Sequence, residues 1–101
     1  MKLVIVTVVD DYIKEVSKLF KKAGIATFSQ LDIAGYKSRK ANDSMSGWFA
    51  TRDGGANSEM FFSFAEETHI TALFQEIKVF NSNLESNNPV RAVVVPIEQF
   101  I

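Results

Sequence analysis

Apolar positions fall into six blocks along the chain, and their spacing alternates between that of a strand and that of a helix. Residues 3–9 (Leu-Val-Ile-Val-Thr-Val-Val) are apolar on both alternating sides, as in a central strand buried on two faces. Next, Ile13, Val16, Phe20 and Ala23 recur at helical spacing with Leu19 widening the stripe, and Lys14, Glu15, Lys18, Lys21 and Lys22 take the wetter side. Asp10 or Asp11 is the expected N-cap of this helix and Gly24 its stop. Residues 25–36 hold Ile25, Thr27, Phe28, Ile33 and Tyr36 without helical period, which predicts a second strand loosened at Gly35. A third strand is predicted over residues 60–64, where Phe61, Phe62 and Phe64 point to both faces. Glu66 and Glu67 open a second helix with Thr68 as its cap, followed by the stripe Ile70, Leu73, Ile77, Phe80 and Leu84. Residues 81–89, rich in asparagine and serine, end that helix, and a fourth strand follows over 90–95, stopped at Pro96.

The order βαββαβ has a geometric consequence. Each crossover between parallel strands is right-handed, so two interleaved βαβ units place both helices on one side of a four-stranded antiparallel sheet. The expected fold is thus α+β, a ferredoxin-like sandwich in one domain spanning residues 1–101. Its helices shelter only one face. Because Val4, Val6 and Val8 alternate with Leu3, Ile5 and Val9, and residues 90–95 are almost wholly apolar, the second face is expected to be greasy as well. A patch of that size points to self-association through the sheet. The five residues 97–101, which include Glu98 and Gln99, are too few to cover more than an edge.

Between the second and third strands runs a polar interval, residues 37–58, far longer than the other connections. Loops of that length are commonly functional or disordered. Lys37, Arg39 and Lys40 stand beside Gly35 and Tyr36 and suit a phosphate or carboxylate, although a solvated basic turn explains them equally well. Trp48 and Phe49 are large aromatics in polar surroundings, able to anchor a partner or to pack within the protein itself. With Arg52 they form the expected partner-binding part of the loop. Asp53-Gly54-Gly55 reads as a reverse turn, and Asp43-Ser44 as a local cap or Asx-turn.

Composition narrows the field. A net charge of −1 with 47% apolar residues disfavours bulk attraction to nucleic acid and disfavours disorder. The absence of cysteine removes disulfides, thiolate chemistry and zinc–thiolate sites. The apolar start is short, β-branched and followed at once by Asp10-Asp11, so it is expected to be neither a signal peptide nor a membrane span, and a cytoplasmic location is expected. His69, the single histidine, falls in the first turn of the second helix, where a surface or cap-adjacent role is expected over catalysis or metal binding. The acid pairs Asp10/Asp11 and Glu66/Glu67 lie at helix starts, where the helix dipole accounts for them. No phosphate-loop or dinucleotide fingerprint occurs. No enzymatic activity, catalytic residue or metal site is expected.

Three stretches carry a resemblance. The opening strand, the segment Leu31-Asp32-Ile33-Ala34-Gly35-Tyr36 leading into a basic loop, and Val93-Val94-Val95-Pro96-Ile97-Glu98 are together similar to the PII-like superfamily of trimeric signalling proteins. That likeness implies a homotrimer with ligand clefts between subunits and a mobile effector loop based near Gly35. It implies a small anionic ligand, adenine nucleotides being usual, and a target enzyme or membrane transporter as partner. Gly35, Tyr36, Lys37, Arg39, Lys40 and Arg91 would line the cleft. Where typical members carry a glycine-rich GDGK loop, this chain reads Asn88-Pro89-Val90-Arg91, which keeps a cation at Arg91 and leaves the ligand's identity open. Trp48, Ser58-Glu59 and the Pro89…Pro96-Ile97-Glu98 stretch also resemble the sister CutA-like trimers, whose likeness would imply a metal-tolerance or structural role instead.

Overall fold

A computed structural model describes residues 1–36, 56–85 and 87–101. The elements are β1 (Lys2–Val9), a 3-10 turn (Asp10–Tyr12), α1 (Ile13–Lys22), β2 (Ser29–Gly35), β3 (Ala56–Ala65), α2 (Glu67–Ser82) and β4 (Arg91–Pro96). They form one four-stranded sheet in the order β2-β3-β1-β4, with every neighbouring pair antiparallel. This is the expected ferredoxin-like α+β sandwich.

The registers decide which residues share a face, because directly opposite residues point the same way. Val4 lies opposite Ser63 and Val94, and Val6 opposite Phe61 and Ala92. This set, with Val8, packs under α1 and α2 against Val16, Phe20, Ile70, Leu73 and Ile77. Phe20, Phe28 and Phe61 make an aromatic triangle in that core, with ring centres 4.9–5.6 Å apart. The other face carries Leu3 opposite Phe64 and Val95, Ile5 opposite Phe62 and Val93, and Leu31 opposite Met60. No described helix covers it, and Phe64 is 56% exposed there. The segment after β4 does not shield it either, since Phe100 is 75% exposed.

Three local devices hold the covering layer in place. Helix α1 closes with Gly24 at φ +85°, where Gly24 N–H donates to Lys21 O and Ile25 N–H to Phe20 O. This is a Schellman motif, which satisfies the last carbonyls of the helix. The His69 ring then joins the two helices through Nδ1, 3.1 Å from Ala23 O. Asn81 clasps the backbone ahead of β4, its Nδ2 donating to Val90 O at 2.9 Å while Val90 N–H donates to its Oδ1 at 2.8 Å.

Several boundaries and caps differ from expectation. Residues 25–28 are not strand, because Ile25 is the residue that completes the Schellman motif and is buried against the helix end. β3 starts at Ala56, so residues 56–58 leave the predicted loop and pair with β2. Neither Asp10 nor Asp11 caps α1, since both sit in the 3-10 turn and Tyr12 precedes the helix. Thr68 lies inside α2, whose flanking residue is Glu66, and Leu84 falls beyond its end.

Candidate functional site

Strands β2 and β3 carry the two ends of the long connection, and the last rung of their ladder pairs Gly35 with Ala56. Gly35 is buried in that rung, while Tyr36 just beyond it is 68% exposed. Arg91, exposed, opens β4 opposite Thr7. These three are the described members of the predicted ligand-binding set. Lys37, Arg39 and Lys40, and the predicted partner-binding Trp48, Phe49 and Arg52, lie outside the described residues.

Within one subunit the described members do not converge. Gly35 and Tyr36 stand at the β2 edge and Arg91 at the β4 edge. Three strand spacings separate those edges, about 14 Å. One protomer cannot close all of them on a single small anion.

A second group comes together that the sequence had not linked. Asp32 on β2 lies directly opposite Glu59 on β3, on the helix-covered side, and Glu59 is only 5% exposed. A cleft of about 250 Å³ opens beside them, lined by Asp10, Asp32, Ile33, Asn57 and Ser58. Its hydrogen bond with Asp32 pushes the Glu59 carboxyl above its ordinary value of 4.5. Burial and the repulsion of the Asp32 charge push the same way, Asp10 adds a smaller repulsion, and a hydrogen bond from Gln30 opposes them. The one available signal was the buried face of β3 passing through an acid, and only the strand register identifies its partner. Among the described residues no group of three His, Cys, Asp or Glu is arranged to hold a metal ion.

His69 sits in the first turn of α2, exposed, and its ring contacts the end of α1 instead of facing either acid or cation group. Among the described residues no helix is long and apolar enough to cross a membrane.

No family model and no curated protein matches the sequence. Solved structures do match in shape. The four-stranded antiparallel sheet with two helices is consistent with the ferredoxin-like fold of a PII-like protein, the likeness that residues 31–36 and 93–98 point to. One such structure is CPII, a nitrogen regulatory PII-like protein from Thiomonas intermedia K12, bound to ADP, AMP and bicarbonate. The two chains are 13% identical and superpose with a TM-score of 0.62, over 99% of this chain and 94% of that one. At that identity the likeness is one of fold, and a shared fold does not carry function with it.

Proposed function

We propose that this chain is a non-enzymatic, trimeric PII-like regulator. It binds a small anionic ligand, an adenine nucleotide among the candidates, in clefts between subunits, and acts on an enzyme or membrane transporter through residues 37–58. The likeness to CPII over nearly the whole chain supports this reading most directly, since that protein is a nitrogen regulator bound to ADP, AMP and bicarbonate. The placement of Gly35 and Arg91 on opposite sheet edges supports it too, because only a second copy can bring such edges together. The exposed apolar sheet face supplies the driving force for association. In this reading an anion held by Tyr36, Lys37, Arg39 and Lys40 of one subunit and Arg91 of the next orders the base of the long connection. That ordering sets which surface Trp48 and Phe49 present to the partner.

Thermal-shift measurements with ADP, AMP, bicarbonate and organic acids test the proposal. A ligand at a hundred times its Kd stabilises by about 2.7 kcal/mol, which raises Tm by roughly 10 °C or more in a domain of this size. Arg91→Ala and Arg39→Ala should each remove most of that rise. If no ligand raises Tm and neither variant matters, the sensor reading fails, and a stable oligomer without ligand response would favour the structural, CutA-like role.

A further inference from the structure

The pair Asp32–Glu59 stands three rungs from the end of the β2–β3 ladder, followed by Ile33–Ser58, Ala34–Asn57 and Gly35–Ala56. Like charges placed directly across an antiparallel pair repel, and here one of them is buried. Among the described residues, the charged groups that face Glu59 are Asp32 from β2 and Asp10 from the turn after β1, both acidic. Its other neighbours, Gln30 on β2 and Val8 across the rung on β1, carry no charge. None of the ion pairs formed by Lys2, Lys22 or the N-terminus reaches it. A single proton shared by the two carboxyls removes the repulsion and adds a charge-assisted hydrogen bond across the strands.

We propose that Asp32 and Glu59 form a proton-operated latch on the base of the long connection: with one proton between them the last three β2–β3 rungs stay closed, and its loss opens them. The proton leaves to water through the cleft beside Asp10, Asn57 and Ser58, and the two carboxylates left behind separate by parting β2 from β3. β3 stays paired with β1 from Ser58 to Ala65, and with β2 from Ser29 to Leu31, so the sheet survives the opening. The closed state holds the proton more tightly than the open one. Closure is therefore favoured fully below about pH 4.5 and is lost as pH rises through the raised value of Glu59. The latch needs neither ligand nor trimer, so it stands or falls separately from the regulatory role.

Amide hydrogen exchange, corrected for intrinsic rates and followed by NMR between pH 4 and 8, tests it on the whole chain. The opening constant of amides in residues 33–35 and 56–58 should rise with pH, by at most tenfold per unit for one proton. Amides of the β1–β3 ladder in residues 60–64 should stay level. In Glu59→Gln the rise should vanish and the rungs should keep their low-pH protection throughout. Asp32→Asn, tested in parallel, should behave the same way and serves if the first variant folds poorly. Carbon-detected titration of the Glu59 carboxyl in the wild-type protein should show its midpoint above 4.5 and coincident with the change in exchange. Exchange that does not vary with pH in the wild type, or that varies equally in both variants, overturns the latch.

Discussion

The two faces of the sheet are built from the same strands and nearly the same residue types, yet they end in opposite states. Val4, Val6 and Phe61 are fully buried under the helices. Their immediate neighbours Leu3, Ile5, Phe62, Phe64, Val93 and Val95 look the other way, and none of them is fully buried. Apolarity alone does not distinguish the faces. What separates them is the crossover rule, which assigns both helices to one side whatever the other side is made of. Hydrophobic residues on the first face stabilise the protomer, whereas those on the second become useful only when another surface arrives.

Breaking the covered face should have the largest effect. Phe61→Ala removes a fully buried ring from the triangle with Phe20 and Phe28 and should cost about 3–5 kcal/mol in urea unfolding. A cost below about 1 kcal/mol would mean that this layer is not the core.

Loosening the attachment of the covering layer should have a middling effect. Gly24→Ala forces a side chain into φ +85° and places Cβ 2.7 Å from His69 Nδ1. The conformational part costs roughly 1–2 kcal/mol. The contact adds to it, and His69→Ala in the same chain should recover only that second share. Full recovery in the double variant would show that the left-handed conformation is not the constraint.

On the bare face the protomer should hardly notice a change. Phe64→Asp adds a charge at a 56%-exposed position and should leave the far-UV circular dichroism unchanged. Light scattering should nonetheless fall to the mass of one subunit. An oligomer that survives this substitution would place the subunit contacts elsewhere.

Much of this arrangement is written in the periodicity. The alternating valines of β1, the stripes Val16/Phe20 and Ile70/Leu73/Ile77, and the order of elements together specify the sheet and its covered side. The errors cluster where tertiary pairing outweighs local composition. Ile25 looks like a strand residue but completes a helix end, and polar Asn57 and Ser58 look like loop but pair with β2. The expected ligand set draws on the basic run beside Gly35 and on resemblance, and within one subunit Gly35 and Tyr36 stand at the sheet edge opposite to that of Arg91. The acid pair was illegible for a different reason. Asp32 and Glu59 lie far apart in the chain, and only the β2–β3 register makes them neighbours.

The Asn81 clasp has a consequence for how β4 finds its place. By engaging both the amide and the carbonyl of Val90, it fixes the residue from which the strand is counted. A slip of one position would send Ala92 and Val94 to solvent and turn Arg91, Val93 and Val95 toward the helices. In a strand so nearly uniform in valine, side-chain preference offers little protection against that slippage. One carboxamide on the preceding helix acts as the index mark that keeps the guanidinium of Arg91 out of the hydrophobic interior.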